Sequence, residues 1–244
     1  MGEKIMELRD LKISGSSVVT GGEYRDVKVS GASKITSDIT CETMRISGAI
    51  TVEGHVDAKS CKVSGACKVK GSVRAADIKI SGGSSIQGSL EGERISLAGG
   101  IKVHGGIKSA LLKLSGEISV GEDMECEEFY LHGAITAKGA VNCEKCELKV
   151  AGRSEIGELL GAEIEVKEGY KNSTGFLKNL FGGSRGSLKV SLIEGDDIYL
   201  ENTTCEMVRG DRVVLGPGCK IEKVEYREKL EVHEEAKVGE KVAL

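Results

Sequence analysis

The sequence predicts an all-β chain folded as a parallel β-helix, a β-solenoid of about 17 residues per coil interrupted by one loop insertion. Three observations predict it. One short phrase recurs at fixed spacing over Met44–Lys145, apolar and polar residues alternate inside each repeat, and glycine holds one column of every repeat. A fixed period this short makes each block a supersecondary unit that cannot bury its apolar face alone and must stack on its neighbours.

The six blocks begin at Met44, Cys61, Ile78, Ile95, Leu112 and Phe129, and open on phrases such as Cys61-Lys-Val-Ser-Gly65 and Ile78-Lys-Ile-Ser-Gly82. Column three holds Ile46, Val63, Ile80, Leu97, Leu114 and Leu131, and column thirteen Val56, Val73, Leu90, Ile107, Met124 and Val141. Column nine is equally apolar, column seven mostly Ile, and column fifteen small. Odd columns are thus apolar or small and even ones mostly polar, the period-two signature of strands with one buried face. Glycine fills column five in all six blocks and column eleven in five, with Glu122 the exception, marking bends where a missing Cβ permits positive φ and close approach of the next rung. Two or three short strands per block, with the same columns inside each time, stack parallel and in register. Aromatic residues make up 3%, as suits a narrow bore filled by Val, Ile and Leu.

Taken in order, residues 1–10 read as a polar tail, and 11–166 as the solenoid, opening at Leu11-Lys-Ile-Ser-Gly15. After Lys145 two residues intrude, and Leu148-Lys-Val-Ala-Gly152 restarts the phrase. Residues 167–187 break the period as a basic, aromatic loop. Alternation resumes over 188–244 at Leu188-Lys-Val190, Ile198-Tyr-Leu200, Val213-Val-Leu215 and Leu230-Glu-Val232, as a continuation of the solenoid or a small second one. Pro217, the only proline, marks a corner.

Composition sets bounds. A net charge of −4 and a pI near 5.8 supply no global field for nucleic acid. The start has no apolar leader and no run approaches a membrane span, which assigns the chain to the cytosol. The eight cysteines fall mainly in inward columns, where they act as small hydrophobes. Cys143-Glu-Lys-Cys146 has no second pair at zinc spacing. No cofactor is expected.

The Lys-Ile/Val-Ser-Gly phrases, with Ile193-Glu-Gly-Asp-Asp-Ile-Tyr-Leu-Glu201, Val208-Arg-Gly-Asp211 and Gly216-Pro-Gly-Cys-Lys-Ile221, resemble the bactofilins, bacterial polymer-forming cytoskeletal proteins, in their longer Firmicute-type form. The resemblance implies a right-handed helix that self-associates end to end into filaments without nucleotide and scaffolds cell-wall, morphogenesis or motility machinery from the cytoplasm or the inner face of the membrane. Whether the polymer is of this chain alone or shared with a paralogous bactofilin stays open in the sequence. The chain lacks the proline-rich tails of the commonest members, so no tail-borne partner is carried over.

Three candidate surfaces follow. A solenoid is open at each end, and terminal rungs present unpaired backbone groups over an apolar core unless capped. Leu11 and Ile13 at one end and Leu230, Val232 and Val238 at the other stand close to the termini, making them candidate polymerisation ends; folding of residues 1–10 and 239–244 as caps is the alternative. Column two forms a basic stripe of Lys12, Lys28, Arg45, Lys62, Lys79 and Lys113, either a solvated face or a docking strip for an acidic partner or anionic lipid. It lacks the interleaved aromatics of a nucleic-acid groove. Column fourteen alternates in sign through Asp57, Arg74, Glu91, Lys108 and Glu125, so it can pair along the ladder. In the insertion, which carries four basic residues against one acidic, Phe176, Leu177, Lys178, Leu180 and Phe181 present an apolar side with one basic residue, suited to a membrane interface or a groove, or to packing back on the solenoid.

Catalytic readings are weaker. Gly182-Gly-Ser-Arg-Gly186 matches G-x-S-x-G without the strand-to-helix elbow. A hexapeptide-type acyltransferase needs an apolar residue every six, which the 17-residue block breaks, and His55, His104, His132 and His233 fall on different faces. Another carbohydrate-active β-helix enzyme would want clustered surface carboxylates or aromatics. The reading is a non-enzymatic, self-assembling scaffold.

Overall fold

A computed structural model describes residues 8–169 and 186–244. Every regular element among them is a strand, and every pairing among them is parallel, as a β-solenoid requires. The chain divides into two compact units, Met1–Gly105 and Gly106–Leu244. The loop residues Phe176 to Phe181 and Gly182–Arg185 of the G-x-S-x-G match lie outside the described residues.

The first unit contains β1 (Leu11–Ser14), β2 (Ser17–Val19), β3 (Gly22–Ile35), β4 (Ile39–Val52), β5 (Val56–Val69), β6 (Val73–Ser81), β7 (Ser84–Ile86) and β8 (Leu90–Val103). Partners keep the spacing of the repeat, as in Met44↔Cys61 and Cys61↔Ile78, and the first step is Leu11↔Val27. Within β5, Val56, Ala58, Cys61, Val63, Cys67 and Val69 are buried while Asp57, Lys62 and Lys68 are exposed. Those buried positions fall in three pairs, one for each side of the rung. The expected two or three strands per block are here continuous runs of 14 residues, because backbone pairing carries on around the corners. What bends the run at column five is glycine. Gly65 has φ +129°, and a Cβ there would overlap the carbonyl oxygen of Gly48 one rung below, so both conformation and space demand Gly. Column eleven differs from expectation. Its glycines are not at positive φ, and close approach alone explains them: a Cβ on Gly71 would lie 2.7 Å from the Gly54 carbonyl oxygen.

The same corner is also held by a side-chain ladder in column twelve. Asp38 Oδ1 accepts the His55 N–H (2.7 Å), His55 Nδ1 accepts the Ser72 N–H (3.0 Å), and Ser72 Oγ accepts the Ser89 N–H (3.1 Å). Each thereby satisfies a backbone donor that the turn leaves outside the strand ladder.

The second unit contains β9 (Ile107–Val120), β10 (Met124–Val150), β11 (Arg153–Glu168), β12 (Ser187–Leu200), β13 (Thr203–Leu215), β14 (Lys220–Val232) and β15 (Lys237–Ala243). The phrase at Leu148 does not restart a rung. Leu148 pairs with Val166 in the third column and Cys146 with Ile164 in the first, so the two extra residues are taken up later, near the Val150–Gly152 corner. Partner spacing accordingly grows to 19 at Thr136↔Glu155, then settles at 18 from Ala140↔Glu158 across a bulge. β11 pairs directly with β12, Ile164 facing Ile198 and Val166 facing Leu200. Ile198, Val213 and Leu230 then share a column, as their spacing indicates. At the fifth place of Ile198-Tyr-Leu-Glu-Asn202 stands the unit's substitute for the corner glycine: Asn202, the one non-glycine residue at positive φ (+46°) among those described.

Candidate functional site

The final rung shows what an uncovered solenoid end looks like. Val213, Leu215 and Ile221 are at most 3% exposed, yet their partners one rung on, Leu230, Val232 and Val238, are half-exposed. Same columns, same residue types; what differs is that no further rung among the described residues covers the last three. Among the described residues β15 pairs with β14 alone, which leaves its outer backbone edge without a strand partner.

At the first rung Leu11 is partly buried to the same degree, but Ile13 is 5% exposed, although among the described residues β1 and β2 pair only with β3. Among the described residues the exposed large apolar ones are Leu8, Val18 (71%) and Leu244 (60%), and all lie in or beside a terminal rung. Val18 and Leu244 escaped sequence reasoning because the first stands in an even, outward column and the second follows the last alternating phrase.

The basic stripe is in register. Lys12, Lys28, Arg45, Lys62 and Lys79 follow one another rung by rung, all exposed, until Ser96 takes the column. Lys12 stands 3.9 Å from Asp10, and Arg45 Nη1 donates to Thr43 Oγ1 (3.1 Å). Thr43 in turn donates to Asp26, holding that carboxyl below its ordinary range. Lys28, Lys62 and Lys79 make no ion pair with any described residue. Other cations of this unit do: Arg74 with Glu91 (2.7 Å), Arg94 with Asp77 (2.6 Å) and Lys59 with Glu42 (2.8 Å). The predicted pairing along column fourteen is present at Arg74–Glu91 and at Lys108–Glu125 (2.8 Å).

In the second unit the same column changes character. Lys113 lies over the Tyr130 ring, 5.5 Å from its centroid, and a separate run in column two reads Glu147, Glu165, Tyr199, Val214 and Glu231. Charge is divided likewise: Met1–Gly105 holds 15 Lys and Arg against 12 Asp and Glu, Gly106–Leu244 19 against 26, so the units carry +3 and −7.

Nothing resembling a catalytic constellation forms among the described residues. His55, His104, His132 and His233 are all exposed, and the Nδ1 atoms of His55 and His233 accept backbone N–H groups. No described group of His, Cys, Asp or Glu is arranged to hold a metal ion. A shallow groove of about 520 Å³ over Ala32, Ala49, Ala66 and Gly83 has no acid or histidine in its lining. Among the described residues no helix is long and apolar enough to cross a membrane. One buried carboxylate was not foreseen. Glu201, 9% exposed, accepts the Tyr199 hydroxyl (2.9 Å) and the Glu168 N–H (3.2 Å); burial and this carboxylate push Tyr199 up to about 12.

Comparison with known proteins bears on the first unit. Residues 2–91 match the family model described as Bactofilin: Polymer-forming cytoskeletal. The uncharacterized protein YhbF of Bacillus subtilis (strain 168) is 37% identical over 91 residues, covering 37% of this chain and 35% of YhbF. The uncharacterized protein YhbE of the same organism is 56% identical over 39 residues, 16% of each chain. The matched stretches thus span about a third or less of these relatives. No solved structure matches.

Proposed function

With residues 2–91 matching the bactofilin model as premise, we propose that the chain is a non-enzymatic cytoskeletal scaffold whose copies join end to end into filaments without nucleotide. The observation that carries this reading is the partial exposure of Leu230, Val232 and Val238 in columns where the rung before, Val213, Leu215 and Ile221, is buried. A second copy stacked there would add one more rung at about 4.8 Å and remove the same apolar side chains from water. Burying each is worth about 0.5 kcal/mol for the part still exposed. On this reading the polymer lies in the cytoplasm at the inner face of the membrane, holding cell-wall, morphogenesis or motility machinery, and a paralogous bactofilin enters the same filament.

The stripe Lys28, Arg45, Lys62 and Lys79 is then a docking strip for an anionic surface, since its lysines are exposed and make no ion pair with any described residue. The loop residues Phe176, Leu177, Lys178, Leu180 and Phe181 belong to the same proposal as a membrane or partner contact.

Val232→Arg is the direct test, because Val232 is half-exposed in the free chain and the substitution therefore spares the fold. The sedimentable fraction should fall at least about tenfold, since an unpaired charge would be buried in the new contact. Filaments of unchanged length by electron microscopy would reject end-to-end growth through this rung. Ile13→Arg should also shorten filaments, with an added loss of stability because Ile13 is already buried. Deleting residues 176–181 should leave filaments intact and abolish co-sedimentation with anionic liposomes; retained binding would retire the membrane contact.

A further inference from the structure

Three cysteines of the second unit converge where β10 passes through two successive rungs. Cys126 and Cys143 share column fifteen, 17 residues apart, and Cys146 follows one corner later. Cys126 pairs back to Ser109 and Cys143 forward to Gly161, which fixes both as inward positions of neighbouring rungs. Rungs stack about 4.8 Å apart, inside the span of about 4.4–6.8 Å between Cα atoms that a disulfide bridges.

The Cys143 thiol donates to the Leu160 carbonyl oxygen (3.8 Å), and hydrogen bonding with Cys126 and Cys146 holds it below its ordinary range. The same contact pushes Cys126 up, while burial does most to raise Cys146. Cys143 and Cys146 are 3% and 1% exposed, whereas Cys126 is half-buried, so the cluster opens to solvent on the Cys126 side. The other thiols have no such arrangement. Burial pushes Cys67 and Cys205 up to about 12 and Cys41 to about 11.

We propose that Cys126 and Cys143 form a peroxide-oxidisable pair that closes a disulfide between adjacent rungs. Cys143 gives up its proton, and its sulfur attacks one oxygen of hydrogen peroxide. The O–O bond breaks, the departing hydroxide takes the proton and leaves as water, and Cys143 becomes a sulfenic acid. The Cys126 sulfur then attacks the Cys143 sulfur, the S–O bond breaks, and the Cys126 proton leaves with the hydroxyl as a second water. Two thiols have lost two electrons, and one peroxide has become two waters. Closed, the bond ties two rungs covalently and resists their separation; a dithiol reductant reopens it by exchange.

The test uses the full chain, treated with hydrogen peroxide, denatured under alkylating conditions and digested. Of eight free thiols, two should be lost, with a mass decrease of about 2 Da and a cross-linked peptide joining Cys126 to Cys143, all reversed by dithiothreitol. Cys126→Ala and Cys143→Ala should each lose no thiol to a disulfide. Alanine suits this column, which holds Ala58 and Ala75 in the first unit, so both variants should keep the parent's circular dichroism. Eight alkylatable thiols after peroxide would overturn the proposal, as would a bridge joining Cys143 to Cys146.

Discussion

The two units solve the same corner differently. In Met1–Gly105 the fifth column is glycine rung after rung, and each glycine packs on the carbonyl of the one below. In Gly106–Leu244 that column is glycine at Gly116 and Gly133, but by the rung of β12 it has become Asn202, while other glycines, Gly161, Gly195 and Gly210, appear in the inward column that holds Cys126 and Cys143. A strict repeat can use one residue type because every rung presents the same backbone to the next. Once bulges and a changed spacing break that identity, each corner is solved locally, by whichever residue tolerates its φ.

The sharpest way to break the comparison is to place a β-branched residue at a stacked corner. Gly65→Val forces a Cβ into the Gly48 carbonyl and holds a branched side chain at φ +129°, so the loss should be about 4 kcal/mol or more. Gly83→Ala, one column along from the stack with nothing within 4 Å of the new Cβ, should change stability by no more than about 0.5 kcal/mol. Hydrogen exchange across β4, β5 and β6 measures both. Equal protection in the two variants would mean that the stack does not set the corner.

Asn202 sharpens the comparison from the other side. Asn202→Gly keeps the left-handed backbone and gives up one long side-chain bond, Nδ2 to Glu168 (3.3 Å), so its effect should be within about 0.5 kcal/mol. Asn202→Val should cost about 1–2 kcal/mol through backbone strain. Denaturant midpoints of the two variants decide it. If valine is tolerated as well as glycine, φ at this site is not what selected asparagine.

Much of this was legible beforehand. Period-two alternation within a 17-residue frame marks Ile46, Val63 and Ile80 as inward without any structure, since a one-residue slip would expose the whole set. Column five was equally open, because only one residue type occupied it. The less visible parts have physical reasons. Continuity of strands around corners depends on backbone pairing, which carries no side-chain signal. Leu148-Lys-Val-Ala-Gly152 copies the opening phrase but sits two places late, because register is decided by what lies opposite, here Ile164 and Val166. Asn202 could have been found: Ile198-Tyr-Leu-Glu-Asn202 is the recurring phrase with asparagine in the fifth place. Of the candidate ends, the alternation pointed to Leu230 and Val232; how far each is covered is a property of the neighbouring rung.

The smallest effects should come from the charged ladders, where the units differ again. In the first, Arg94 clamps Asp77 alone through two hydrogen bonds of 2.6 and 2.8 Å. In the second, Arg212 reaches two carboxylates, Asp197 and Glu228. Each arginine holds its aspartate below the ordinary range, by hydrogen bonding first and charge second. A depressed folded value means that the stabilisation is present above the ordinary aspartate range near 3.8 and is lost as pH falls through the lower, folded value. Removing the arginine removes the depression, so Arg94→Gln and Arg212→Gln should both lose stability near neutrality and show a flatter acid limb. Arg212→Gln should lose more stability near neutrality, because two carboxylates lose their partner. Both differences should shrink in molar salt, since these pairs are exposed and screened. Acid titration followed by circular dichroism at low and high salt reads the ranking. An acid limb as steep in Arg212→Gln as in the parent would show that the network in the second unit is a surface decoration, whatever its geometry.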